Sequence, residues 1–92
     1  LLRALDAAKE GSRSVLDSTI VLYGGAITDG NVHNHADLPI LVAGGSALGL
    51  KGGRTVAHAP DTPLCNLHRG IAAKVGAPLD AFGDSTGAAE LV

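Results

Sequence analysis

Two short uncharged runs constrain this chain more than any other feature. Positions 19–23 read TIVLY and positions 39–43 read PILVA, and a pair of glycines closes each run. A β-branched or aromatic run without polar alternation suits a strand covered on both faces, so both runs are expected to lie inside a sheet. Pro39 has no amide donor and therefore fits the first position of its strand. The surroundings are turn-rich. Gly and Pro number 13 and 4 in 92 residues, more than a helix bundle carries, while an apolar fraction of 46% excludes a disordered polar segment. The fold class expected is α/β, with residues 1–92 forming a single segment around one modest core.

Helical spacing occurs at two places. Leu1, Leu2, Leu5 and Ala8 form an apolar stripe that Gly11 and Ser12 should end. The chain opens inside this stripe and holds no Met, so the expectation is a fragment or processed piece of a longer protein. Farther on, Thr62 is the expected N-cap and Pro63 the first residue of a helix. Its stripe is Leu64, Leu67, Ile71 and Val75, laid against the sheet, with Arg69 and Lys74 toward solvent and Gly76 as its end. A short hairpin strand is expected at 55–57, and the tail from Ala77 onward holds no expected element.

Charge and hydropathy remove several classes of partner. Seven basic and nine acidic side chains leave a net charge of −2 with no basic run, which gives a nucleic acid nothing to bind. No apolar stretch approaches the roughly 20 residues of a membrane span, and no charged segment precedes an apolar leader. Cys65 is the single cysteine, which excludes an internal disulfide and a multi-cysteine zinc cluster. The glycine-rich stretches match neither a dinucleotide fingerprint nor a phosphate loop. Lys51 and Arg54 are anion contacts or ordinary surface charges.

Chemistry concentrates in residues 24–39, immediately after the first strand. Asp29, Asn31, His33, His35 and Asp37 fall within nine residues. Carboxylate oxygen and neutral imidazole nitrogen are ligands for Zn²⁺ and other divalent ions, and a His-x-His pair can present both rings to one ion. The same residues can instead cap turns through bonds to their own backbone, with both rings exposed. His58 and His68 read as boundary or surface residues. Cys65 sits near a helix N-terminus that would lower a thiol pKa, with His68 three residues on. A Cys-His pair is thus conceivable beside the simpler reading of a half-buried, inert cysteine.

The run LDSTIVLYGGAITDGNVHNHADLPILVAGG, followed by LKGGRTV and TPLCNLHRGIAAKVGAPLDAFGDSTG, resembles the C-terminal part of the DUF1552 (HXXSHH) family of bacterial secreted proteins. That family is itself distantly similar to the alkaline phosphatase and sulfatase superfamily. The resemblance covers about positions 15–87. It implies the C-terminal part of an α/β/α fold with a mainly parallel central sheet, in which the two strands are interior members. It makes Asp29, His33 and His35 the expected metal ligands, Zn or Ca. Asn31, Asp37 and Arg54 would then orient ligands or touch substrate.

The activity implied is metal-dependent hydrolysis of phosphate or sulfate esters, with the nucleophile and further ligands outside these 92 residues. The alternative is a secreted or cell-surface protein that keeps the fold for binding or structure. Secretion or a periplasmic location of the parent is likewise implied by resemblance. The expected partner is the remainder of the parent chain, or a second copy paired along exposed sheet edges. The element FGDSTG, Phe82 to Gly87, matches the family's C-terminal signature but brings no mechanism, and nothing makes Ser85 or Thr86 a nucleophile.

Overall fold

Strand pairing in the computed structural model, which describes residues 1–91, is antiparallel throughout. The elements are α1 (Leu2–Ala7), β1 (Lys9–Glu10), β2 (Arg13–Ser14), a 3-10 turn (Val15–Ser18), β3 (Ile20–Gly24), β4 (Ile40–Gly44), a second 3-10 turn (Ser46–Leu48) and α2 (Leu64–Lys74). β1 pairs with β2 and β3 with β4, as two separate two-stranded sheets. A mainly parallel central sheet is therefore not what the chain forms. The reason lies in residues 25–39: a parallel crossover needs a long connection, usually a helix, to carry the chain back across the sheet. These residues contain no helix or strand, and they return the chain as a hairpin.

The hairpin register pairs Ile20 with Gly44, Leu22 with Val42 and Gly24 with Ile40. Next to it, the Gly25 amide donates to the Pro39 carbonyl at 3.3 Å, so the hydrogen-bonded pairs are Tyr23–Leu41 and Val21–Ala43. The peptide groups of Ile20, Leu22 and Gly24 then point to one outer edge, and those of Ile40, Val42 and Gly44 to the other. No third strand joins either edge among the described residues. Alternation also sorts the side chains. Val21, Tyr23, Leu41 and Ala43 share one face, while Ile20, Leu22, Ile40 and Val42 share the other. Both faces are apolar, as the sequence led one to expect, yet Tyr23 is 74% and Leu41 67% exposed.

The modest core expected of the chain does not materialise. Among the described residues no apolar side chain is buried, and the radius of gyration is 14.6 Å, against about 13 Å for a compact chain of about 100 residues. Polar bonds instead tie the hairpin to the N-terminal elements. Ser14 is buried and forms a capping box with Asp17: the Ser14 amide donates to Asp17 Oδ2 at 3.0 Å and the Asp17 amide to Ser14 Oγ at 3.2 Å. Ser46 Oγ donates to Asp17 Oδ1 at 2.6 Å. The Gly45 amide donates to Leu16 O at 3.0 Å. Gly44 lies at φ 81°, and a Cβ there would sit 2.2 Å from Thr19 O, so only glycine closes β4 in this way.

Helix boundaries shift in informative ways. α1 ends at Ala7, with Ala8 extended, because Lys9 and Glu10 enter the tight β1–β2 hairpin that Gly11 turns at φ 65°. Pro63, rather than Thr62, is the N-cap of α2, and no side chain caps the helix; the Thr62 hydroxyl donates to Ala59 O at 2.7 Å, within the preceding turn. Gly76 follows the helix at φ 81°, as expected of its end. Val75 is 54% exposed and leaves the apolar stripe, whereas Leu64, Leu67 and Ile71 are half-buried. The hairpin strand expected at 55–57 does not form. Residues 51–62 are exposed and contain no strand, and they join neither open edge of the β3–β4 pair.

Candidate functional site

The polar loop between β3 and β4 is organised chiefly by its own backbone. Thr28 N donates to Asn34 O at 2.8 Å and Asn34 N to Asp29 O at 3.3 Å, forming a small antiparallel bridge. Asp29 Oδ1 accepts from the amides of Asn31 at 2.8 Å and Val32 at 3.4 Å. This is the Asx turn that an Asp-Gly pair favours. Asn34 Oδ1 accepts from Ala36 N at 2.9 Å, and the Thr28 hydroxyl donates to Ala36 O. His33 and Asp37 both lie at φ 51°, in the left-handed region, at a cost of about 1 kcal/mol each for residues with a Cβ.

His35 is held differently from His33. Its Nδ1 is 2.6 Å from Ala26 O, and a carbonyl can only accept, so Nδ1 carries the proton. In the neutral ring Nε2 then keeps its lone pair. Metal-binding histidines are commonly oriented in this way, with the distal nitrogen free to coordinate. His33, by contrast, has no side-chain hydrogen bond among the described residues.

The structure keeps Asp29, Asn31, His33, His35 and Asp37 on one exposed loop. It does not assemble the expected ligands into a metal centre. Among the described residues no group of three His, Cys, Asp or Glu side chains is placed to hold an ion. Of the three, only His35 has its ring oriented by a backbone bond, and Asp29 binds two backbone amides through Oδ1 alone. Arg54 lies in the exposed segment 51–62.

A second polar assembly, not anticipated from the sequence, joins α2 to the tail that returns across it. Asn66 Oδ1 accepts from the amides of Thr86 at 2.8 Å and Gly87 at 3.2 Å, and its Nδ2 donates to Thr86 Oγ1 at 3.1 Å. The Asn66 carbonyl accepts from Ala89 N at 2.8 Å. One turn along, Gly70 is buried, and a Cβ there would lie 2.3 Å from Ala89 O. Arg69 Nε donates to Leu79 O at 3.0 Å. The Phe82–Gly87 element thus has a structural task. Ser85 Oγ accepts from Phe82 N at 3.0 Å to close a turn, and Thr86 is held in the Asn66 clasp. The available signal was Asn66 itself, a poor helix former in a helical stretch.

Cys65 and His68 belong to this assembly. A hydrogen bond with Asp84 raises the Cys65 pKa, and burial adds to the shift. The helix N-terminus therefore does not make it a thiolate. Gly83, at φ 51°, lies so close that a Cβ would be 2.7 Å from the sulfur. The His68 ring meets Phe82 edge-on, with centroids 5.7 Å apart and planes at 79°, and its buried Nδ1 has no hydrogen-bond partner among the described residues.

No family model, no curated protein and no solved structure matches this chain. The resemblance to the DUF1552 family accordingly rests on the sequence motifs quoted above. No helix among the described residues is long and apolar enough to cross a membrane.

Proposed function

We propose that this chain contributes His35, and from the same loop Asp29 and His33, to a divalent-metal site of a phosphate- or sulfate-ester hydrolase. The remaining ligands and the nucleophile come from other segments of a secreted or periplasmic parent. The observation that carries this reading is the His35–Ala26 hydrogen bond, which fixes the tautomer whose Nε2 can coordinate. When bound, the ion would polarise the ester and stabilise developing negative charge. The contribution of this chain is to orient one imidazole and to hold a carboxylate six residues before it on a backbone-bonded loop.

The partner in this reading is the rest of the parent chain, or a second copy, added along the outer edges of β3 and β4. Among the described residues both edges carry unpaired peptide groups, and neither strand contains a charge. Calorimetric titration with Zn²⁺ and then Ca²⁺ tests the proposal on the intact parent. Micromolar or tighter binding that falls at least tenfold in both His35→Ala and Asp29→Ala supports it; binding that is absent or unchanged overturns it.

A second reading, a non-catalytic secreted protein that keeps this loop for structure or recognition, is favoured by the Asp29 bonds to Asn31 and Val32. Under it, Asp29→Ala loosens the loop and leaves metal affinity untouched.

A further inference from the structure

We draw no further inference here: the strongest candidate, the cluster of Cys65, His68 and Asp84 between α2 and the returning tail, rests on a lone cysteine that Asp84 keeps protonated, and beside it only a partly exposed histidine with one unpartnered ring nitrogen, which does not indicate a ligand.

Discussion

The β3–β4 loop and the α2 clasp are both dense in polar side chains, yet they are organised in opposite ways. In the loop, Asp29 and Asn34 bond to amides two or three residues away. In the clasp, Asn66 reaches amides 20 and 21 residues away and brings two distant stretches of chain together. A locally bonded loop keeps its form with little help, whereas a clasp exists only while both of its halves are folded. Motif density therefore marks where polar groups lie, and the range of their bonds decides what they hold.

Small substitutions at backbone contacts should separate the regions most sharply. Gly44→Ala forces a Cβ against Thr19 O at positive φ, and unfolding by denaturant should show a loss of about 3 kcal/mol from overpacking and strain together. Gly70→Ala presses instead on Ala89 O. Its expected cost is about 2 kcal/mol, with the tail displaced and the β3–β4 hairpin signals unchanged by NMR.

Asn66→Ala is the direct test of the clasp. It removes the acceptor of two amides and should cost about 1–2 kcal/mol, while hydrogen exchange quickens at Thr86 and Gly87 but not at Asn31 and Val32. Equal quickening in both regions would break the distinction. The reciprocal change, Asp29→Ala, should cost about 0.5–1 kcal/mol and quicken only Asn31 and Val32.

The smallest effect expected is electrostatic. The Ser46 hydroxyl, followed by the Ser14 amide, lowers the Asp17 pKa below its ordinary value of 3.8. The folded state thus favours the carboxylate. Its contribution is fully present above the unfolded pKa and is lost as pH falls through the lowered folded value. Unfolding followed from pH 5 downward should show this loss, and Ser46→Ala should flatten the acid limb.

Much of the local structure was legible. The runs at 19–23 and 39–43 became β3 and β4, their terminal glycines were needed, and Leu64, Leu67 and Ile71 announced α2. The parallel direction came from the family resemblance, whereas the Gly-, Asp- and Asn-rich connection at 25–39 has no helix to carry a crossover and turns the chain back as an antiparallel hairpin. The bonding of the candidate site was ambiguous. Asp29 offers the same lone pairs to a metal and to the Asn31 amide, and sequence spacing does not choose between them. The Asn66 clasp was hidden for a different reason: its partners lie far along the chain, beyond any local pattern.

The clasp also sets an order of assembly. As the chain emerges during synthesis, the β3–β4 hairpin and its Asp17–Ser46 tie have every partner by residue 48. The clasp over α2 has to wait for Thr86, Gly87 and Ala89. Between those two moments, Asn66 carries a side chain whose three bonds have no partners yet, so the α2 region acquires its tertiary ties later than the hairpin does.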